Sequence, residues 1–233
     1  MSNFVHKPAQ LRYDNLKDII TEAGRLYLTP SNDWYPSVTT FLGHFGKEGI
    51  ENWKKAVGEK EAKRVGHHAA TRGTAVHNTA ERYLNNETNY MQECVMPHVR
   101  QMWRSLKKIL DESINNIRMQ ECPLYSDELM LAGRVDLIAE YKNELSIIDF
   151  KTSSRVKTAD EIENYFLQAC AYSLMFEEQT GIAINQLVII MVIEGSDKSI
   201  VFVEERDNWE DKLITLRDRF FDDIKSKVSC QKH

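Results

Sequence analysis

Three ionisable residues interrupt two short apolar stretches near the middle of the chain, and their types and spacing indicate metal and phosphate chemistry. Asp136 lies within Gly-Arg-Val-Asp-Leu-Ile-Ala, while Asp149 and Lys151 lie within Ile-Ile-Asp-Phe-Lys-Thr. Residues two apart on a β-strand point to the same side, so Asp149 and Lys151 would share a face. Buried carboxylates are costly unless they pair or bind a metal. Two of them can form a site for a hard cation, beside which the lysine can serve a phosphate or a water.

The two stretches are predicted to form adjacent strands of a hairpin. They share the β-branched and apolar residues that fill buried strands, namely Val135, Leu137, Ile138, Ile147 and Ile148. The polar residues 142–144 separate them as a turn, and Gly133 is predicted to lie at the bend that leads into the hairpin. Taken alone, a salt-bridged strand edge explains the charges as well as a metal site does, so flanking elements must distinguish the two.

Two predicted helices carry further polar pairs at helical spacing. His77 and Glu81 are four residues apart within a helix over residues 70–86, so they share one face. Both can reach a metal, or one can orient the other; a plain surface pair is the alternative. Gln168 and Tyr172 have the same spacing in a helix predicted over about residues 159–179.

The most basic stretch covers residues 47–72. Seven lysines and arginines, among them Lys54, Lys55 and Arg72, stand there against four glutamates and beside Trp53. Clustered positive charge with an aromatic ring suits a nucleic-acid backbone and its bases. A solvated helix face is the alternative interpretation.

Two groups of hydroxyl side chains are further candidates for phosphate contacts. Ser37, Thr39 and Thr40 precede a predicted helix, where they can cap its first turn or, with the free N–H groups, hold a phosphate. Thr152 and Ser153 begin a polar loop at the exit of the strand that carries Asp149.

The remaining elements complete one predicted domain. Tyr13, Leu16, Ile19 and Ile20 fall at helical spacing, which predicts a partly helical lead-in over residues 1–24. A hairpin and helical annex with the first core helix follows over residues 25–120, including a long amphipathic helix over residues 92–117. A catalytic sheet and helix then occupy residues 121–204, with strands over residues 120–131, 186–193 and 199–204, and a C-terminal acidic helix occupies residues 205–233.

Composition and charge limit the classes to which this protein can belong. Apolar residues make up 42% and charged residues 28% of the 233 residues, as in an ordinary globular protein, and the net charge of -5 argues against a general polyanion-coating protein. We expect no membrane association, since there is neither an apolar run of spanning length nor a signal peptide. The four cysteines form no C-x-x-C pair, so we expect no iron–sulfur cluster. We expect instead that the thiols are reduced and that the protein is cytoplasmic.

The order of these motifs resembles the PD-(D/E)XK nuclease superfamily. Within it, the histidine, the G-x-x-D, the I-D-x-K-T and the Q-x-x-x-Y motifs resemble the RecB-like exonucleases. Tyr35-Pro-Ser-Val-Thr-Thr40 and Arg72-Gly-Thr-Ala-Val-His77 resemble the mitochondrial genome maintenance exonuclease group and its phage relatives. The resemblance covers roughly residues 25–190. It implies an α/β, restriction-endonuclease-like core, in which helices flank a central mixed β-sheet and an N-terminal helical and hairpin annex is added.

The resemblance also implies a site. Asp136, Asp149 and His77, with the Phe150 carbonyl, would bind Mg²⁺ or Mn²⁺, and Lys151 would orient the water or stabilise developing charge. The resemblance further assigns supporting catalytic roles to Glu81, Gln168 and Tyr172. DNA would contact the following residues: Tyr35, Ser37, Thr39, Trp53, Lys54, Lys55, Arg72, Thr152 and Ser153.

The implied function is metal-dependent hydrolysis of DNA from single-stranded ends, in phage or bacterial replication, repair or recombination. A helicase or another replication or recombination protein would supply any unwinding as a partner. Two alternatives stay open: an endonuclease of the same superfamily that cleaves duplex DNA, and a non-catalytic DNA-binding module with this fold.

Overall fold

Two β-sheets and five α-helices form the part of the chain that the computed structural model describes. That part is residues 3–230, without the side chains of residue 93 and residues 228–230. In chain order, the elements are β1 (Lys17–Thr21), β2 (Gly24–Leu28), β3 (Trp34–Pro36), α1 (Val38–Val57), α2 (Glu59–Leu84), α3 (Pro97–Ser113), β4 (Ile114–Ser126), β5 (Leu131–Tyr141), β6 (Glu144–Ser153), α4 (Glu163–Thr180), β7 (Gln186–Ile193), β8 (Ile200–Glu205) and α5 (Glu210–Cys230).

The central sheet has five strands in the order β4-β5-β6-β7-β8. Strands β6 and β7 are parallel and the other neighbours are antiparallel. A parallel pair needs a long crossover, and α4 supplies it. The predicted α/β fold, with a central mixed sheet flanked by helices, is therefore confirmed.

Apolar side chains alternate between two cores, one on each face of this sheet. Along β6, Ile147 packs into a core with α1, α4 and α5, while Ile148 packs into a second core with α2 and α3. Strand β7 alternates in the same way over its whole length and is buried on both faces. This is the pattern expected of a strand covered by helices on both sides.

The polar turn of the predicted hairpin closes β5 and β6 at one end of the sheet. Lys142 and Asn143 have φ values of 52° and 71°, which is the backbone geometry of tight hairpin turns. The last paired residues towards the other end are Leu137 and Ile148, beyond which the ladder stops. We call this other end, where β5 begins and β6 ends, the open end.

A helical arch connects the two faces of the sheet. Helix α1 starts in the first core through Val38, Phe41 and Leu42, whereas the second half of α2 packs in the second core. Between them, residues 47–71 are exposed or half-buried apart from Ala62, and we call this segment the helical arch.

Both ends of the arch stand at the open end of the sheet. Ser37, just before α1, forms a bridge with Ala132 at the start of β5. Arg72, just after the arch, pairs with Glu194 beyond the end of β7. The chain therefore crosses from one face to the other over the open end.

Three local predictions are wrong. The lead-in is not helical at Ile19 and Ile20, which lie in β1 and pair with β2 across a turn that Gly24 closes with a φ of 126°. Both isoleucines are exposed, so their spacing did not mark a core face. The long helix starts only at Pro97, a favoured first helical residue, and ends at Ser113, where β4 begins.

The predicted position of Gly133 is also wrong, because Gly133 lies inside β5 opposite Leu124 rather than at a bend. A Cβ at Gly133 would lie 2.7 Å from Cε1 and 2.9 Å from the hydroxyl of Tyr172. Its lack of a side chain therefore lets Tyr172 pack directly on the strand. Among the described helices, none has the length and apolar character needed to cross a membrane.

We predict that Gly133→Ala lowers the free energy of unfolding by about 1–3 kcal/mol, because the added methyl group overpacks the contact with Tyr172. Urea denaturation measures the change. Gly66→Ala is the matched control: nothing lies within 4 Å of its Cβ position, and alanine in a helix should stabilise by about 0.5–1 kcal/mol. Equal stability of Gly133→Ala and the wild type would contradict this account of the glycine.

Candidate active site

Three carboxylates stand level with one another on adjacent strands near the open end. The β4–β5 pairs on either side place Glu121 opposite Asp136. The β5–β6 register, continued by one residue, places Asp149 opposite Asp136. The register therefore brings the three positions level with one another, although Glu121 has a φ of 43° and regular pairing is interrupted there.

Asp136 is held where β5 and β6 separate. Its Oδ2 accepts a hydrogen bond of 2.8 Å from the backbone N–H of Phe150. A side chain thus takes the place of a backbone acceptor at the last rung of the ladder. This contact fixes the carboxylate and accounts for the end of regular pairing between the two strands.

His77 joins these acids from α2. Its Nε2 lies 2.8 Å from the carbonyl oxygen of Phe150, and its Nδ1 lies 3.6 Å from Asp136 Oδ2 and 3.8 Å from Glu121 Oε1. One ligand atom each from His77, Glu121 and Asp136 lies within 4.8 Å of the others. Helix α2 therefore completes a cluster that could hold a metal ion.

Asp149 is the most buried charged group of the site, with a relative exposure of 1%. Among the described residues, neither of its carboxylate oxygens accepts a hydrogen bond of regular geometry. Its Oδ2 lies 2.6 Å from Nζ of Lys151, and we treat this contact as an ion pair because of its short distance. Asp149 therefore relies on nearby positive charge.

Gln168 and Tyr172 reach this ion pair from α4. The Nζ of Lys151 donates to Gln168 Oε1 at 3.2 Å, and Gln168 Nε2 donates to the Tyr172 hydroxyl at 3.2 Å. Tyr172 in turn packs on Gly133. A continuous set of contacts thus holds the lysine beside Asp149.

The clustered acids shift the pKa values of the cations. Burial opposes the charge on His77, but Asp136 and a hydrogen bond to Glu121 act the other way and raise its pKa to about 9. Burial likewise opposes the charge on Lys151, yet Asp149 and Asp136 raise the pKa of the lysine above its usual value. Burial raises the pKa of Asp149, which the Lys151 ammonium partly offsets.

Glu81 lies beside the cluster rather than in it. It lines an open cleft of about 550 Å³ with His77, Asn78, Glu121 and Arg134, among others. Burial and then the neighbouring carboxylate of Glu121 raise the pKa of Glu81. It is not one of the three residues whose ligand atoms converge, so a role for Glu81 would be at the side of the cleft.

The residues predicted to contact DNA fall into two groups, and the first is engaged at the open end. Ser37 caps α1 by accepting from the N–H of Thr40, so the capping interpretation holds for it. Tyr35 donates to Asp127, and Arg72 is buried against Glu194. Ser153 is buried, and its hydroxyl donates to the carbonyl oxygen of Arg155 and accepts from the Arg155 N–H.

The second group is accessible. Thr39 is exposed at the start of α1, and Thr152 is half-buried next to Lys151. Trp53, Lys54 and Lys55 are exposed on the helical arch, with the Trp53 side chain 41% accessible. These five residues are at least partly accessible to a ligand, although the Thr39 hydroxyl lies 3.0 Å from Ser37 Oγ and Lys54 pairs with Glu51.

The sequence did not reveal Glu121, Arg134 or Tyr165. Glu121 is a charged residue in a predicted strand, a signal that becomes informative only once its register with Asp136 is known. Arg134 donates to the Glu121 carbonyl oxygen, and the ring of Tyr165 lies 5.0 Å from Nζ of Lys151. The aromatic ring adds a cation–π contact to the lysine.

The donor set fits a divalent cation. Carboxylate oxygens suit Mg²⁺, and the imidazole of His77 is tolerated by Mn²⁺. The buried carboxylate of Asp149, with no regular hydrogen bond among the described residues, is the kind of group that a cation would satisfy. His77, Glu121 and Asp136, whose ligand atoms converge, would hold the ion. Asp149 lies outside that group and stays a predicted further ligand, and the carbonyl oxygen of Phe150 lies 2.8 Å from His77 Nε2.

A mixed β-sheet flanked by helices, with acids and a lysine at the point where two strands separate, is the arrangement expected of a metal-dependent phosphodiester hydrolase. The family model of the PD-(D/E)XK nuclease superfamily matches residues 52–231. The chain therefore belongs to the PD-(D/E)XK nuclease superfamily, which supports nuclease activity on DNA with a divalent metal such as Mg²⁺ or Mn²⁺. No curated protein matches the sequence significantly.

We predict that Mn²⁺ binding releases a proton from His77. The metal-free protein holds that proton up to a pKa of about 9, so apparent Mn²⁺ affinity should rise by about tenfold per pH unit between pH 6.5 and 8.5. Since the folded pKa is raised, the stabilisation from charged His77 is present below the unfolded pKa of about 6.5 and disappears towards pH 9. Calorimetry in buffers of different ionisation enthalpy measures the proton, and His77→Asn should abolish the slope.

We also predict that Glu121→Gln weakens Mn²⁺ binding by roughly tenfold or more, because it removes one charged oxygen from the cluster. Calorimetric titration gives the affinity. Glu112→Gln on the exposed side of α3 is the matched control and should bind Mn²⁺ like the wild type. Unchanged affinity in Glu121→Gln would remove Glu121 from the proposed ligand set.

Proposed function

We propose that the protein is a metal-dependent exonuclease that hydrolyses DNA from single-stranded ends. The observation that carries this proposal is the helical arch, whose two ends both meet the open end of the sheet, where the candidate site lies. We propose that the DNA strand is threaded beneath the arch, and a threaded strand must enter by a free end. This arrangement favours an exonuclease over an enzyme that cuts within a closed strand.

The chemistry of the arch favours a single strand. Unpaired bases stack on aromatic rings, while lysines attract the backbone, and neither contact depends on sequence. Trp53 and Lys55 are both exposed on α1, and no carboxylate of the described residues forms an ion pair with Lys55. Lys54 and Lys63 form only exposed ion pairs with glutamates on their own helix, and such pairs are weak.

The resemblance to RecB-like exonucleases adds to this proposal. Its four core motifs are His77, the Gly133–Asp136 stretch, the Ile148–Thr152 stretch and the Gln168–Tyr172 pair, and these residues lie around one centre. A role in phage or bacterial DNA replication, repair or recombination, in the cytoplasm and with a helicase or similar partner, is part of the same proposal.

In the proposed hydrolysis, each of the site residues would have a separate role. Asp136, Asp149 and His77, with Glu121, would hold the metal, which when bound supplies charge neutralisation and an activated water. Lys151 would stabilise the charge that develops on the phosphate. Gln168 and Tyr172 would keep the Lys151 ammonium in position.

We predict that Lys151→Ala lowers cleavage of single-stranded DNA at least 100-fold while leaving DNA binding largely intact, because one charge-stabilising group is lost from the reacting centre. Single-turnover cleavage and fluorescence anisotropy measure the two properties separately. Lys142→Ala, at the opposite end of the same hairpin, removes an equal charge and should cleave normally. Undiminished cleavage by Lys151→Ala would exclude the assigned role.

A digestion series with Mg²⁺ or Mn²⁺ tests the function as a whole. End-labelled linear single-stranded DNA should be degraded, whereas covalently closed circular single strands, and linear strands with streptavidin at both ends, should survive. A duplex endonuclease would instead cleave closed duplex DNA. A non-catalytic binding module would bind the linear strand and leave it whole in both metals.

A further inference from the structure

We propose that His68, His98 and Glu194 form a second metal site, suited to a transition metal such as Zn²⁺ and separate from the candidate active site. One ligand atom of each of the three residues lies within 4.8 Å of the others. They come from three separate elements: the arch part of α2, the first turn of α3 and the turn after β7.

The spacing of the three side chains suits a shared ion. His68 Nε2 lies 3.8 Å from Glu194 Oε1, and the two imidazole rings have centroids 5.2 Å apart. Ligands of tetrahedral Zn²⁺ at about 2.0–2.1 Å from the metal lie about 3.3 Å from one another. Closing the observed separations therefore needs only small side-chain rotations, and the exposed His68 is free to make them.

Glu194 is oriented for this role by its neighbours. Its Oε2 accepts from the buried Arg72 at 2.5 Å, while its backbone N–H donates to the carbonyl of Ser153 at 2.9 Å. Oε1 is left facing His68. A carboxylate with one oxygen on the metal and the other held by a hydrogen bond is a common arrangement in metal sites.

His98 supplies an independent observation. Its Nε2 is shielded from solvent and has no hydrogen-bond partner in the described part of the chain. Buried polar nitrogens are nearly always satisfied. A metal bound among His98, His68 and Glu194 would draw this ring into a set of contacts that the protein alone does not provide.

The donor set distinguishes this site from the other. Two imidazoles and one carboxylate suit Zn²⁺ and related transition metals rather than Mg²⁺, and three protein ligands leave a fourth position open. His68 precedes His77 by nine residues on α2, which is about 14 Å along a helix axis, so the two ions would not compete for ligands. A bound ion would join the second end of the helical arch to α3 and to β7.

The test is metal binding by the full chain after removal of metals with EDTA. Zn²⁺ affinity is measured by competition with a chelating dye, and Co²⁺ is added as an optical probe of tetrahedral sites. The wild type should bind one Zn²⁺ that His68→Ala and His98→Ala bind at least tenfold more weakly, and it should show a tetrahedral Co²⁺ spectrum that both variants lose. His67→Ala, which removes the exposed neighbouring imidazole, should behave like the wild type.

Because His68 is exposed, its replacement should leave the circular dichroism spectrum unchanged, which separates loss of a ligand from loss of folding. Equal Zn²⁺ affinity in the wild type and in folded His68→Ala would overturn the proposal. Zn²⁺ binding that is lost in His77→Asn but kept in His68→Ala would likewise overturn it, by placing the ion at the candidate active site.

Discussion

The burial of Asp149 in the middle of a sheet is the constraint on which the rest of the site depends. A carboxylate with 1% exposure and no regular hydrogen bond among the described residues needs a cation close by. Lys151 provides that charge from the same strand at 2.6 Å, and α4 holds the lysine through Gln168. The surrounding elements can be understood as the means of keeping positive charge beside this one group.

The proposed metal binding would be linked to the protonation of His77. Without a metal, the positive charge beside the acids comes from Lys151 and from a histidine whose pKa is raised to about 9. A divalent ion would replace the proton of His77 and relieve the repulsion between Asp136 and Asp149. The same electrostatic interaction thus stabilises the metal-free fold and prepares the site for the ion that the nuclease superfamily uses.

The central sheet, which carries the candidate site, and the helical arch are separate parts of the fold. The central sheet fixes the acids through its register, whereas the helical arch stands over the open end without entering either core. In the proposed function, changes in the arch would therefore alter which DNA strand reaches Lys151 and leave the proposed metal ligands in place. The proposed zinc site lies where the arch rejoins the sheet.

The sequence by itself determined the features that depend on spacing along one element: the hairpin, the shared face of Asp149 and Lys151, and the pairing of Gln168 with Tyr172. Strand and helix periods are local, so a single chain reveals them. Glu121, the contact of Tyr172 with Gly133, and the arch over the open end were decided only by the tertiary structure. Each joins residues from distant segments, and their meeting depends on strand register and helix packing, which spacing along the chain does not specify.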